Sequence, residues 1–394
     1  MDAAGLAKLL SPHGWALLST LPPYDEAGVL ALSDRLRREG VDPELIAAAL
    51  TQSRLRAKAH AKFDSFADGM LFTPAGLEQA TRLTVAAHHA RRYLAAGVTR
   101  IADLTCGVGA DSMAFAGVGL SVLAADTDEL TAALATVNLR HFPEAEVRRA
   151  DGLTLDFEAE GVNGLYADPA RRASSGKRLF DPGAYSPPLD AVLALRERVP
   201  ALGVKIGPGV PHSGLPADAE TQWVSVDGDV VEAGLWFGPL APDGPGRSAL
   251  VLRGRTARVV WDTQGGAAPD VGPVGAYLYE PDGAVIRAGL VAQLAAEVQG
   301  RLIDRTIAYV TSDSLHASDA ATGYRVLDTI PFGLKRLRTY LRERDVGRLT
   351  IKKRGTAVLP EQLRGQLDLR GHAEATIVLT RIAGAQHVLL VDPL

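Results

Sequence analysis

Residues 100–116 read RIADL-TCGVGAD-SMAFA: a five-residue segment with an apolar centre, a glycine loop, and then a helix-forming segment. An apolar run that short, stopped by a glycine-rich loop, has the length of a buried strand rather than a helix. The same alternation recurs downstream. SVLAAD (121–126) is a second strand, with TDELTAALATVNLRH as the helix after it. EVRRAD (146–151), GLYAD (164–168) and ALGVKI (201–206) are a third, fourth and fifth. Short apolar strands separated by helices imply an α/β fold: a doubly wound, mostly parallel sheet covered on both faces.

In such a sheet the glycine turn after the first strand is where a ligand approaches the backbone, because no Cβ stands in the way. A dinucleotide-binding turn needs a third glycine at position 112, and Ser112 is there instead. What remains is Asp103 four residues before Gly107-Val108-Gly109. This D-x-x-x-G-x-G spacing is the pattern of S-adenosylmethionine (SAM) binding, whose ligand has no pyrophosphate to lay on a helix N-terminus. The second strand ends at Asp126, twenty-three residues beyond Asp103, where a carboxylate can accept both ribose hydroxyls. The third ends in Ala150-Asp151-Gly152, where a carboxylate can accept the adenine amine. The expected cofactor is therefore SAM. Asp103, Gly107 and Gly109 are expected at its methionine end, Asp126 at the ribose and Asp151 at the adenine; Thr105 and Cys106 belong to the same cofactor-binding loop. Cys106 reads as a small buried residue rather than a nucleophile, since no His or Asp lies at a partnering spacing.

LYADPARR (165–172) ends the fourth strand with a carboxylate, a proline and two arginines. At that place Asp168 faces the transferred methyl group. It either accepts the protons of an amine and so sharpens the nitrogen lone pair, or takes a proton as general base. Pro169 fixes the backbone, and Arg171 and Arg172 suit a phosphate at the rim. Asp168, Pro169 and Arg171 form the expected catalytic group. Lys205, on the fifth strand, reads as a sheet-end lysine stretching its ammonium to water.

Residues 99–171 resemble class I SAM-dependent RNA methyltransferases. DLTCGVGADSMAFA resembles the loop of the trimethylguanosine synthase group, which also reads Cys-Gly-Val-Gly. DPAR is similar to the Asp-Pro-Pro-Arg of RNA uracil-C5 methyltransferases, and it occupies the slot of the (Asn/Asp/Ser)-Pro-Pro-aromatic motif of amino-group methyltransferases. Ala170 stands for the second proline and Arg171 for the stacking ring, so stacking falls to another ring among Phe72, Phe180, Tyr185 and Trp236. The covalent uracil-C5 mechanism is excluded, because no cysteine follows the late strands. FTPAGLEQAT resembles the helix that precedes the sheet in this class and covers the methionine end. Nearly the whole chain, with its LTIKKRG and ATIVLTRIAG segments, resembles bacterial methyltransferases carrying a THUMP-like C-terminal domain. The resemblance implies a Rossmann-like methyltransferase sheet, an N-terminal helical region and a small C-terminal α/β domain that contacts RNA.

The rest of the chain fits that organisation. Residues 1–70 read as helices, one of them capped by Asp42 with Pro43 at its first position. Thr73 and Pro74 begin a helix expected to run to Gly97. Residues 71–255 form the methyltransferase domain, ending in two runs joined by an Asp-Gly turn, which reads as a hairpin. Residues 256–275 read as a Gly- and Pro-rich linker, and 276–394 as the C-terminal domain. Within 335–354, Lys335, Arg338, Arg342, Lys352 and Lys353 belong to a basic run suited to phosphates.

The net charge of −4 argues against a protein that coats nucleic acid but leaves room for a local basic patch. One cysteine among 394 residues excludes a disulfide framework and points to the cytoplasm. Nine scattered histidines give no metal spacing, and no apolar run is long enough to span a membrane. The expectation is a cytoplasmic SAM-dependent methyltransferase acting on a base in structured RNA, tRNA before rRNA, without metal. The alternatives are methylation of a protein or small molecule, with Arg171 and Arg172 pairing a carboxylate, and a scaffold that binds SAM or RNA without turnover.

Overall fold

The structure, a computed structural model, describes residues 3–171, 185–262 and 269–394. It divides into two compact units, Met1–Ile206 with Leu235–Asp243, and Gly207–Gly234 with Gly244–Leu394.

The first unit begins with α1 (Ala3–Leu10), α2 (Pro12–Thr20), α3 (Val29–Arg38) and α4 (Pro43–Phe63). The Asp42 carboxylate accepts from the Glu44 N–H and caps α4, as expected. Leu45 and Ala49 of α4 pack with Leu6, Leu9 and Leu18 of the preceding helices. One to four turns on, Leu55, Ala59 and Phe63 share a cluster with Phe72, Tyr93 and Phe115. Helix α4 thus belongs to two clusters, one with α1 and α2 and one with the core of the sheet.

The helix expected from Thr73 to Gly97 is two helices, α5 (Pro74–Gln79) and α6 (Leu83–Ala95). Ala80 and Arg82 between them have extended backbone. The break is stabilised from outside: Lys62 Nζ donates to the carbonyls of Leu77, Glu78 and Ala80 at 2.9, 2.6 and 2.7 Å. One ammonium therefore satisfies carbonyls that a continuing helix would have paired.

The sheet strands are β1 (Arg100–Asp103), β2 (Ser121–Asp126), β3 (Ala145–Arg149), β4 (Gly164–Ala167) and, after a two-stranded ribbon of β5 (Ala170–Arg171) and β6 (Tyr185–Ser186), β7 (Leu202–Ile206). They lie parallel in the order β7-β4-β1-β2-β3. The helices α7 (Ala110–Gly117), α8 (Glu129–Asn138) and α9 (Leu189–Ala194) connect them. From β1 the chain winds outward to β3 and then returns to the other side at β4. That reversal opens a crevice at the carboxyl ends of the strands.

In the second unit, β8 (Glu220–Val226) and β9 (Asp229–Trp236) are neighbours joined by Asp227 and Gly228, whose φ values of 50° and 92° make the hairpin turn read from Asp-Gly. Next, β10 (Gly246–Arg253) lies parallel to β8, and β11 (Thr256–Trp261) runs antiparallel to β10. Residues 256–261, expected to open a linker, are therefore a strand: the β-branched pair Val259-Val260 and Trp261 pair with β10 before the glycine-rich stretch begins.

A seven-stranded sheet follows, in the order β13-β14-β12-β15-β18-β17-β16. Its strands are β12 (Tyr277–Pro281), β13 (Arg301–Asp304), β14 (Ile307–Ser312), β15 (Ala321–Pro331), β16 (Val346–Lys353), β17 (Ala373–Ile382) and β18 (Ala385–Pro393). Helices α10 (Gly283–Ala288), α11 (Val291–Glu297), α12 (Leu334–Arg342) and α13 (Pro360–Leu367) complete the unit. From β15 to β18 the order is strand, helix, strand, helix, strand, strand, in keeping with the small α/β domain expected there.

Asn138, at the end of α8, ties two parts of the first unit together. Its amide oxygen accepts from the Leu71 N–H at 2.7 Å, and its amide nitrogen donates to the Leu71 and Val108 carbonyls at 3.0 and 2.9 Å. All of this is buried. Asn138→Ala leaves these backbone groups unsatisfied, so chemical denaturation should show a loss of roughly 2–5 kcal/mol with an unchanged m-value.

Candidate active site

A cavity of about 540 Å3 opens where the strands end, and Asp103, Thr105, Cys106, Gly107, Asp126, Asp151 and Asp168 all line it. Its far wall is built by Thr73, Gly76 and Thr81 on one side and by Ser186, Pro187 and Pro188 on another. Thr73 Oγ1 accepts from the Gly76 N–H, which starts α5 against this wall.

Asp103 closes β1 and is 1% exposed. Burial pushes its carboxyl up to about 8, against the opposing hydrogen bond from Ser112 Oγ at 2.6 Å. Ser112, the residue that excludes a dinucleotide turn, is thus the partner of the first aspartate. This role was missing from the sequence reading; the nine-residue spacing on the next helix was its signal.

Gly107 has φ +55° and donates its N–H to Asp126 Oδ2 at 3.2 Å. Asp126 Oδ1 accepts from the Asp128 N–H at 2.9 Å. Burial also raises the Asp126 carboxyl. A carboxylate offers about four lone-pair sites, so two remain for a diol. Gly109 does not line the cavity. It caps α7 at φ +86°, where an added Cβ would sit 3.3 Å from the Leu139 side chain. Asp151 turns the chain after β3 by accepting from the Leu153 N–H at 3.0 Å. The turn needs Gly152, since a Cβ there would lie 2.6 Å from the Leu104 carbonyl oxygen. Burial pushes the Cys106 thiol well above its ordinary value, in keeping with a packing role in the loop.

Asp168 follows β4. Its N–H donates to Thr105 Oγ1 at 2.7 Å, and its carboxylate lies 2.5 Å from Lys205 Nζ. Lys205 therefore does not stretch to solvent. Ala167 is level with Val204 on neighbouring strands, so the next residues, Asp168 and Lys205, come together. Lys205 also donates to Thr81 Oγ1 at 2.8 Å, and Thr81 Oγ1 donates to Asp111 Oδ2 at 2.7 Å. Asp111 Oδ1 is 2.8 Å from His89 Nδ1, with both side chains buried. Burial acts to raise the Asp111 carboxyl, but His89, Lys205 and Thr81 together outweigh it and hold the group below its usual range. None of His89, Asp111 and Thr81 was singled out from sequence.

Of the proposed stacking rings, Phe72 and Trp236 are core residues at 0% and 2% exposure, and Tyr185 is buried. They cannot present a face to a base. Phe180 and Arg172 lie outside the described residues, and the side chain of Arg171 is not described. Pro169 lies between Asp168 and β5.

The basic run of the second unit is largely engaged within that unit. Arg338 donates to the Gln366 carbonyl, and Arg342 to the Asp368 carbonyl at 3.0 Å, so both satisfy carbonyls at the end of α13. Lys352 lies 3.8 Å from Glu280, and Lys353 donates to the Val358 carbonyl at 3.1 Å. Lys335 is exposed in the first turn of α12. Among the described residues, no group of three His, Cys, Asp or Glu is placed to hold a metal ion, and no helix is long and apolar enough to cross a membrane.

A switch-point crevice, a D-x-x-x-G-x-G loop and acidic strand ends define a Rossmann-like SAM-dependent methyltransferase. Comparisons with known proteins agree. The family model "THUMP domain-like" matches residues 321–393, and "Domain of unknown function (DUF8688)" matches residues 2–59. An uncharacterized S-adenosylmethionine-dependent methyltransferase of Mycobacterium tuberculosis strain H37Rv is 37% identical over 319 residues, 79% of this chain and 85% of that protein. A crystal structure from Porphyromonas gingivalis W83, described as a candidate methyltransferase, superposes with a TM-score of 0.73 at 20% identity, covering 94% of this chain and 99% of the other; it shows the shared fold. This chain belongs to the SAM-dependent methyltransferases, and its cofactor is SAM. The cavity fits that group, being of ligand size, lined by the loop glycine Gly107 and by carboxylates that retain accepting capacity.

The raised Asp103 carboxyl fixes a pH dependence. A group held at about 8 in the fold and 3.8 when free stabilises the protein fully below pH 3.8, and that stabilisation drains away as pH rises to 8. Asp103→Asn has no such group to ionise. Its melting temperature without ligand should therefore gain on the unaltered protein from pH 4 to 8 and run parallel above, as scanning calorimetry across pH would record.

Proposed function

We propose that the protein methylates a base in structured RNA, tRNA before rRNA, with Asp168 at the acceptor. The observation that carries this is the placement of Asp168 in the same cavity as Asp103, Asp126 and Asp151, in a chain that ends in a THUMP-like domain. What SAM brings is a methyl group on a sulfonium. Around it, Asp103 and the Gly107–Gly109 loop hold the methionine end, Asp126 accepts the ribose diol and Asp151 the adenine amine. Asp168, braced by Thr105 and Lys205, accepts a hydrogen bond from the acceptor and fixes its line of attack. Lys335, exposed in the first turn of α12, is open to phosphate, and Arg171 and Arg172 follow Asp168 in the sequence.

A second reading, methylation of a protein or small molecule, is favoured by the internal pairing of Arg338, Arg342, Lys352 and Lys353, which leaves fewer of their donors for a polynucleotide.

Methyl-labelled SAM and an extract from cells lacking this gene separate the two. Label released by nuclease supports RNA, whereas label released by protease, or found in small molecules, supports the second reading. Asp168→Ala should lose about a hundredfold or more in turnover while binding SAM normally by calorimetry. Unaltered turnover in Asp168→Ala would remove Asp168 from the acceptor site.

A further inference from the structure

Beside the cavity lies a buried polar chain for which the cofactor site alone gives no reason. It runs from His89 on α6 through Asp111 on α7 and Thr81 in the α5–α6 break to Lys205 on β7, and ends at Asp168. Three of its members, Thr81, Asp111 and Asp168, line the cavity. Lys205 is not among the lining residues, and its side chain is 13% exposed.

Burying the Asp111 carboxylate and most of an ammonium is costly unless each is paired and hydrogen-bonded, and the Asp168 carboxylate, 31% exposed and lining the cavity, is the ammonium's second partner. Here the donors run in one direction, Lys205 to Thr81 to Asp111, so Lys205 is held on one side by the hydroxyl and on the other by Asp168. The helix break that Lys62 stabilises is what brings Thr81 to this place.

We propose that Lys205 is a positioning residue for methyl transfer, holding the Asp168 carboxylate at the cavity wall, and that Thr81, Asp111 and His89 form its support. This rests on Asp168 facing the acceptor. Among the described residues, charged groups that act on the pair include Asp103 on β1, Lys62 on α4, and Asp111 with its partner His89.

The test compares Lys205→Met, Lys205→Arg, Asp168→Asn and the double variant Lys205→Met/Asp168→Asn, assayed on whichever fraction of the undermethylated extract takes label. We expect Lys205→Met to bind SAM normally and to lose about a hundredfold in kcat, as a displaced reacting group does. Its acid limb should move to higher pH, because the carboxylate has lost its ammonium. Lys205→Arg should recover part of the loss. The double variant should be no slower than Asp168→Asn, since Lys205 acts through Asp168. Multiplying losses, or an acid limb that stays in place, would overturn the proposal. Should Lys205→Met fail to fold, Thr81→Val removes the bridging hydroxyl and is expected to shift the same limb in the same direction; no shift there would equally overturn it. Should no fraction take label, carbon-13 titration of the Asp168 carboxyl, assigned by its loss in Asp168→Asn, decides the matter: an unchanged midpoint in Lys205→Met defeats the positioning role. Failure of the RNA reading shows separately, as label that nuclease does not release.

Discussion

Acidic side chains are gathered where the strands end, and the organisation of this region follows from keeping them there. Carboxylates stripped of water must be neutralised, hydrogen-bonded or paired. The site uses all three. Asp103, with a hydroxyl partner, is held at about 8 by burial. Asp126 is received by two backbone N–H groups. Asp111 and Asp168 are met by His89 and Lys205. The elements that supply these partners, α6, α7, the α5–α6 break and β7, are fixed in place partly by the groups they serve. A cavity tuned in this way keeps a free acceptor edge on Asp126 for hydroxyls, which SAM carries on its ribose.

Much of this was legible in the sequence because it is local. The Asp103 to Gly109 loop, Asp126, Asp151 and Asp168 each end a strand whose apolar run is plain to see, and strand ends of a parallel sheet converge by geometry alone. The caps of α4 and α5 were legible for the same reason. What escaped was long-range. Ser112 is nine residues from its partner, Thr81 lies 124 residues from Lys205, and His89 lies 22 from Asp111. Nothing in a linear pattern announces a helix broken by a lysine side chain from another helix. The aromatic residues misled differently. Rings such as Phe72 and Trp236 carry so much apolar area that the core claims them.

The second unit shows how charge in a sequence differs from charge on a surface. A run of arginines and lysines reads as a phosphate-binding stripe, but a guanidinium has five donors and finds carbonyls readily. Arg338 and Arg342 serve the end of α13. Arg348 pairs with Glu374, and Arg344 lies over the Tyr340 ring. Much of that run braces the last two helices and the sheet beside them.

The three carbonyls held by Lys62 bear on modularity. A Rossmann-type sheet is often treated as a cassette, with its preceding helices as optional trim. Here the ammonium that terminates α5 comes from the end of α4, within the region a boundary at residue 70 would cut away. A sheet excised there would begin with bare carbonyls beside the cavity and with Thr81 unanchored. The heritable catalytic piece of this chain is therefore larger than its sheet, and exchanges of N-terminal regions between relatives would have to carry that lysine and its carbonyls together.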